Sequence, residues 1–215
     1  MGKKPVDSQW FDFFPDLCLK ESLEWLEQFS ADVEKIANFG CWTGSEPFGL
    51  LWTLDATEVV VVEKEEKDHL DKAREYYKRL QEQVPQRLEG RSVTFLLADM
   101  TLEIPELQSE YFDLAYCDRV LYNMKTDDSL KAAINQMVRC VKPGGLVIAI
   151  EPMVGGEYEE VVETIGTFRR KSFREIAPAK DISPLFEEQR LSRVHPTVST
   201  DFWVYCYRKS KLDSY

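Results

Sequence analysis

The stretch Val33-Glu34-Lys35-Ile36-Ala37-Asn38-Phe39-Gly40-Cys41-Trp42-Thr43-Gly44 leads, after a short apolar segment, into Val59-Val60-Val61-Val62-Glu63. The pattern predicts an apolar strand, a glycine turn, a helix with Pro47 in its first turn and a second strand that ends on a carboxylate. This order is typical of a nucleotide-type site in an open parallel sheet. There the turn lets a ligand approach the backbone, the helix N-terminus faces it, and the carboxylate accepts ribose hydroxyls.

Length and composition indicate one ordinary globular domain of residues 1–215. The net charge of -11 works against a nucleic-acid partner, because phosphate binding depends on basic patches. The five cysteines are odd in number and form no C-x-x-C pair, so we expect reduced thiols in a cytoplasmic protein. No apolar run is long enough to span a membrane, and we find no secretory signal.

Strand and helix patterns alternate along most of the chain, which predicts an α/β fold with a parallel sheet. The predicted strands cover residues 33–39, 58–62, 92–98, 112–117 and 146–150, and the main helices follow Gly44 and cover 65–83 and 127–140. Beyond them we predict a polar helix over 157–173. Two β-rich runs at 189–199 and 201–208 are expected to pair antiparallel.

These elements divide the domain into an N-terminal cap and helix (1–30), a core (31–152), an insertion over the substrate (155–188) and a C-terminal β-hairpin (189–208). The aromatic segment from Trp10 to Phe14 has two interpretations. It packs under the sheet, or it forms a lid over a bound ligand, with residues 155–186 closing beside it.

Carboxylates stand at four successive predicted strand ends, at Glu63, Asp99, Asp118 and Glu151. The carboxyl ends of the strands form the ligand crevice in an open α/β sheet. We therefore expect the four acids to line one site beside the glycine turn.

The chain resembles the class I S-adenosylmethionine-dependent methyltransferases of the Rossmann-like, small-molecule type. The resemblance rests on Asn38-Phe39-Gly40-Cys41-Trp42-Thr43-Gly44, Ala98-Asp99-Met100, Phe112-Asp113-Leu114-Ala115-Tyr116-Cys117 and Val141-Lys142-Pro143-Gly144-Gly145-Leu146. It implies a doubly wound, mostly parallel seven-stranded sheet with one antiparallel strand, in three α/β/α layers. It also implies S-adenosylmethionine as cofactor and S-adenosylhomocysteine as product.

The resemblance implies site residues as well. Glu63 would hold the adenosine ribose, Asp99 the adenine amine and Met100 the ring face. The full cofactor-binding set is Trp10, Asn38, Gly40, Cys41, Trp42, Gly44, Glu63, Lys64, Asp99, Met100, Asp118 and Arg119. Two positions depart from the family pattern, since Asn38 replaces an acid and Trp42 replaces a glycine. They are either tolerated variants or signs of weakened cofactor binding and lost catalysis.

Methyl transfer is an in-line displacement, so positioning supplies most of the rate. A base is needed only when the acceptor must lose a proton. The candidates are Tyr122 and Asp118, with Glu151 and His195 as weaker ones. His69 reads as a surface residue, and no His, Cys and Asp cluster has metal-ligand spacing.

The predicted function is methyl transfer to a small-molecule acceptor whose identity the sequence leaves open, with no nucleic-acid or membrane partner and an open oligomeric state. Two alternatives remain. A nicotinamide-dependent oxidoreductase shares the glycine turn but does not explain the Lys142-Pro143-Gly144-Gly145 turn. A non-catalytic cofactor-binding protein is favoured only by Trp42.

Overall fold

A computed structural model describes residues 25–41, 44–151, 158–165, 168–175, 182–189, 191–194 and 203–211. The strands are β1 (Lys35–Phe39), β2 (Glu58–Glu63), β3 (Ser92–Leu97), β4 (Phe112–Asp118), β5 (Val141–Glu151), β6 (Tyr158–Ile165), β7 (Phe168–Glu175), β8 (Leu191–Arg193) and β9 (Trp203–Lys209). The α-helices are α1 (Glu46–Thr53), α2 (Asp71–Gln83), α3 (Asp127–Cys140) and α4 (Ser183–Glu187).

Seven of the strands form one sheet in the order β3-β2-β1-β4-β5-β9-β8. Neighbours from β3 to β5 run parallel, whereas β9 runs antiparallel to both β5 and β8. The predicted seven-stranded, mostly parallel sheet with one antiparallel strand is confirmed. The strand order reverses between β1 and β4, and such a switch point opens a crevice at the carboxyl edge of the sheet.

Helices cover both faces of the sheet, as the doubly wound prediction requires. Alternate residues of β1 point to opposite faces, so Ala37 and Phe39 join one core cluster and Ile36 joins the other. The first cluster contains Ile134 and other apolar residues of α3, and the second contains Phe48 of α1 and further residues of α2. The result is the predicted three-layer α/β/α arrangement.

Two helices begin where the sequence predicts. Helix α3 starts at Asp127 because Thr126 caps it, accepting a hydrogen bond from the Ser129 N–H at 3.2 Å. The predicted helix over 65–83 is also present, but its first turn, Glu66–Leu70, is π-helical and only the rest is α2.

The Lys142-Pro143-Gly144-Gly145 turn lies inside β5, which is longer than predicted. Val141 of β5 pairs with Phe112 of β4, and the next pair joins Leu146 with Leu114. The turn residues are therefore extra residues of β5 at an irregularity in its pairing with β4. A Cβ at Gly145 would lie 2.8 Å from the carbonyl oxygen of Asp113. The motif that helped to indicate the family therefore packs at the amino edge, away from the crevice.

The Asp113 carboxylate joins neighbouring strands at the amino edge of the sheet. Its Oδ2 accepts hydrogen bonds from the backbone N–H groups of Glu34 at 3.1 Å and Lys35 at 3.0 Å, and Lys142 forms an ion pair with its Oδ1. The Asp113 carboxylate thus links the starts of the three neighbouring strands β1, β4 and β5.

The predicted helix over 157–173 is wrong. Strands β6 and β7 form a separate antiparallel hairpin there, with Glu159 opposite Arg174 and Glu163 opposite Arg170. Opposite charges in register favour strand pairing, and β-branched residues such as Val161 lose rotamer freedom in a helix. The two strands are separated in sequence by only two residues, the first of them Gly166, which is itself a hairpin signal.

Candidate active site

The predicted acids lie at one edge of the sheet. Glu63, Asp118 and Glu151 are the last residues of β2, β4 and β5, and Asp99 follows β3 by two residues. Their surroundings fall into two groups. Glu63 and Asp99 flank the β2 and β3 ends, while Asp118 and Glu151 flank the loop after β4.

The two described glycines of the turn have conformations that L-residues rarely adopt, with φ of 80° at Gly40 and 86° at Gly44. A Cβ at Gly40 would lie 2.4 Å from Cγ2 of Val120, and one at Gly44 would lie 2.3 Å from Cα of Ala73. Packing within the protein therefore requires both glycines. Trp42 and Trp10, two of the predicted cofactor-binding residues, lie outside the described residues.

The Glu63 carboxylate is only 7% exposed and is held by backbone groups. Its Oε2 accepts a hydrogen bond from the N–H of Cys41 at 3.1 Å, and its Oε1 accepts from the N–H groups of Lys64 at 2.9 Å and Glu65 at 3.1 Å. The Cys41 thiol is a weaker donor to the same Oε2, with its Sγ 3.8 Å away, so described groups already face all of the roughly four lone-pair sites of the carboxylate.

His69 lies beside this carboxylate, which the sequence did not predict. Its Nδ1 is 3.5 Å from Oε2 of Glu63, and its side chain is 30% exposed. His69 is thus partly exposed, in agreement with its interpretation as a surface residue, but it also contacts an acid of the site. The π-helical first turn brings the side chain there, and such a turn has no sequence pattern that would have revealed it.

Glu46 is a second residue that the sequence did not indicate. Nδ2 of Asn38 donates a hydrogen bond to Oε1 of Glu46 at 2.7 Å, and both residues are buried. Glu46 lies in the first turn of α1, where the helix dipole favours a carboxylate. An acid in the first turn after the glycine motif was the available signal.

At the end of β3, Asp99 organises its own loop. Its Oδ1 accepts hydrogen bonds from the N–H and the hydroxyl of Thr101 at 2.8 and 2.7 Å. Partial burial raises the pKa of Asp99, but these bonds and the charge of Lys64 outweigh it and hold the pKa below its usual value. Lys64 is exposed, whereas Met100 is buried in the first core cluster.

The loop after β4 carries the predicted catalytic residues. Arg119 has a φ of 56°, unusual for a residue with a side chain. Its guanidinium donates to both carboxylate oxygens of Asp118, at 3.1 and 3.2 Å. Tyr122 is half-buried in the following turn and packs against the first core cluster.

Glu151 holds this loop from the end of β5. Its carboxylate accepts hydrogen bonds from the N–H groups of Val120 at 3.1 Å, Leu121 at 2.9 Å and Tyr122 at 3.1 Å. Complete burial raises the pKa of Glu151 to about 8, although these three bonds act in the opposite direction. We conclude that Glu151 positions the loop. The other weak candidate base, His195, lies outside the described residues.

The comparisons with known proteins agree with this geometry. A family model described as a methyltransferase domain matches residues 38–149, just over half of the chain. No curated protein sequence matches. The chain belongs to the methyltransferase domain family, which confirms the prediction of an S-adenosylmethionine-dependent methyltransferase and of S-adenosylmethionine as its cofactor.

Solved structures share the fold at low sequence identity. The N-methyltransferase NodS from Bradyrhizobium japonicum WM9, solved with S-adenosylhomocysteine, is 17% identical with a TM-score of 0.59, covering 95% of this chain and 93% of its own. An S-adenosylmethionine-dependent methyltransferase from Clostridium acetobutylicum is 15% identical with a TM-score of 0.58, and the match covers 96% of this chain and 93% of the other. Another from Mesorhizobium loti is 15% identical with a TM-score of 0.57, and the match covers 89% of this chain and 100% of the other.

None of the helices among the described residues is long and apolar enough to cross a membrane.

Proposed function

We propose that this methyltransferase acts on a small-molecule acceptor and binds its cofactor at the carboxyl edge of β1, β2, β3 and β4. The observation that carries the proposal is the convergence of the glycine turn, Glu63 and Asp118 around the switch point between β1 and β4. The proposed cofactor-binding residues are the set that the sequence predicted: Trp10, Asn38, Gly40, Cys41, Trp42, Gly44, Glu63, Lys64, Asp99, Met100, Asp118 and Arg119.

The described residues fit such a cofactor in two respects. Glu63 is a buried carboxylate fixed by three backbone N–H groups, and its two weaker contacts, with the Cys41 thiol and His69, are those that a ribose hydroxyl would replace. Asn38, near the end of β1, and Tyr116, near the end of β4, each carry a buried polar atom. Neither atom has a hydrogen-bond partner among the described residues.

S-adenosylmethionine supplies the methyl group as an electrophilic sulfonium when it is bound. We assign Tyr122 the role of orienting the acceptor, and of taking its proton where the acceptor has one to lose. Because Asp118 is paired with Arg119, its role is to fix the loop and the cofactor rather than to act as a free base.

The acidic net charge of -11 supports a small acceptor over a nucleic acid. The similar structures include an N-methyltransferase and a protein of an O-methyltransferase family, so the acceptor atom stays open. Cover by residues 155–188 and by the Trp10–Phe14 segment stays a prediction, because much of both lies outside the described residues.

The location in the cytoplasm also stays a prediction. It is supported by four described cysteines that are buried free thiols, namely Cys41, Cys117, Cys140 and Cys206.

Calorimetric titration with S-adenosylmethionine, S-adenosylhomocysteine and NAD tests the proposal, followed by transfer of an isotopically labelled methyl group to a panel of small amines, hydroxyls and thiols. We expect binding of the first two ligands, no binding of NAD, and a labelled product from at least one class of acceptor. Tight NAD binding with no response to S-adenosylhomocysteine would contradict the cofactor site. Transfer only to nucleic acid or protein would contradict the acceptor class.

A further inference from the structure

A group of four buried polar residues occupies the switch point between β1 and β4, and we call it the switch-point cluster: Asn38, Glu46, Tyr116 and Asp118. Asn38 and Tyr116 lie directly opposite each other in the parallel register of the two strands, and both are fully buried. Glu46 reaches the cluster from α1 through its 2.7 Å hydrogen bond with Asn38.

Two polar atoms of the cluster have no hydrogen-bond partner within the part of the chain that the structure describes: Oδ1 of Asn38 and Oη of Tyr116. A buried polar atom without a partner destabilises the folded protein, and native proteins keep few of them. Rotating the Asn38 amide would not remove the vacancy, since it would set a carbonyl oxygen against the Glu46 carboxylate. Oδ1 of Asn38 and Oη of Tyr116 therefore each lack a donor that a ligand could supply.

The cluster is also negatively charged. Burial raises the pKa of Tyr116 well above its usual value, and the charges of Asp118 and Glu46 raise it further, while Arg119 acts in the opposite direction. Both carboxylates therefore act electrostatically on the Tyr116 hydroxyl. Arg119 is bonded to Asp118, and Asn38 is bonded to Glu46.

The sequence supplies the reason for this arrangement. In the glycine motif of the resembling family an acid stands where this chain has Asn38, so the negative charge of the motif is missing from β1. Glu46, eight residues later, brings a carboxylate back to the same place from the first turn of α1.

We propose that Glu46, oriented by Asn38, is the acid of the glycine motif in this protein and binds the α-ammonium group of the cofactor's methionine moiety. An ammonium group carries three N–H donors. The cluster matches it with three acceptors: the Glu46 carboxylate, Oδ1 of Asn38 and Oη of Tyr116. This inference rests on the proposed function, because it concerns the same cofactor.

The test is a binding matrix measured by calorimetry. Its ligands are S-adenosylmethionine, S-adenosylhomocysteine and methylthioadenosine, which keeps the adenosine but has no amino-acid moiety. Its proteins are the wild type, Glu46→Gln, Tyr116→Phe, the double variant Asn38→Asp with Glu46→Gln, and the control Glu89→Gln. Glu89 is exposed next to the start of β3, at the opposite edge of the sheet.

We expect Glu46→Gln to weaken both amino-acid-containing ligands by roughly tenfold to a hundredfold, the scale of a hydrogen bond to a charged group. Methylthioadenosine binding should be unchanged. The double variant returns a carboxylate to β1 and should recover most of the lost affinity, while Glu89→Gln should match the wild type. Tyr116→Phe keeps the ring packing and should weaken the same two ligands by severalfold.

Unchanged S-adenosylhomocysteine affinity in Glu46→Gln overturns the inference, as does an equal loss for methylthioadenosine. If Glu46→Gln does not fold, Tyr116→Phe decides in the same way. In both of these outcomes the wild type still binds its ligands. If the proposed function fails instead, the wild type binds neither S-adenosylmethionine nor S-adenosylhomocysteine, and the inference fails with it.

Discussion

The backbone N–H of Cys41 donates a hydrogen bond to Oε2 of Glu63 at 3.1 Å, and this bond ties the glycine turn after β1 to the end of β2. The other oxygen of the same carboxylate accepts from the N–H groups of Lys64 and Glu65. Glu63 therefore shapes the site before any ligand binds, and its removal should affect stability as well as affinity.

We predict that Glu63→Ala lowers the free energy of unfolding by about 1–3 kcal/mol, because three backbone donors lose their acceptor. It should also weaken S-adenosylhomocysteine binding by roughly 2–3 kcal/mol, the scale of hydrogen bonds to a charged acceptor. Urea denaturation and calorimetry measure the two effects, with Glu89→Ala as control. An unchanged dissociation constant would remove Glu63 from the binding site.

The strained backbone at Arg119 gives a second prediction. Arg119→Gly and Arg119→Ala both remove the guanidinium that bonds Asp118, so both should lose the same contact. Only glycine relaxes a φ of 56°, which costs an L-residue roughly 1–2 kcal/mol. We expect the glycine variant to be the more stable of the two by about 1 kcal/mol in urea denaturation. An alanine variant of equal or greater stability would show that the backbone there is unstrained.

Glu151 makes stability depend on pH. Burial raises its pKa from 4.5 to about 8, so its favourable contribution is fully present below pH 4.5 and is lost as the pH rises through about 8. Asp118, whose charge acts in the same direction, and the Cys117 thiol at 3.7 Å lie beside it.

Glu151→Gln should abolish this dependence. The free energy of unfolding of the wild type, relative to the variant, should fall between pH 5 and pH 9 by at most about 5 kcal/mol, from the size of the pKa shift. Chemical denaturation across that range measures it. Parallel pH profiles for the two proteins would mean that Glu151 titrates normally.

Tyr122 can be separated from cofactor binding. We predict that Tyr122→Phe keeps S-adenosylhomocysteine affinity within about threefold but lowers turnover of a proton-bearing acceptor by roughly a hundredfold or more, as general base loss does. Tyr111→Phe is the matched control, since Tyr111 bonds Glu58 at the amino edge. Equal turnover in the two variants would leave Tyr122 as a packing residue only.

Local periodicity was enough to predict the parallel strands and the long helices, because apolar strands such as β2 and amphipathic helices such as α3 obey short-range rules. The seven-stranded arrangement with one antiparallel strand came from the family resemblance. The hairpin of β6 and β7 was mistaken for a helix, because it pairs residues that are distant in sequence, such as Glu159 and Arg174. The local signal of this pairing was the two-residue connection that begins with Gly166, and the helix prediction overlooked it.

The residues of the site also differ in how far the sequence could predict them. Acids at strand ends, such as Glu63, could be predicted from position. His69 could not, since a π-helical turn that motif spacing does not encode brings it beside Glu63. Glu46 did have a signal, its place as an acid in the first helical turn after the glycine motif, but its bond with Asn38 became visible only in the structure.

Hydrogen exchange of the wild-type protein with and without S-adenosylhomocysteine tests the central claim most directly, because it locates the cofactor on the fold. The account predicts slower exchange at residues 38–41, 63–65, 98–101 and 118–122, at the carboxyl edge, and no change at 85–91, at the amino edge. Unchanged exchange along the carboxyl edge, or protection only at 85–91, would contradict it.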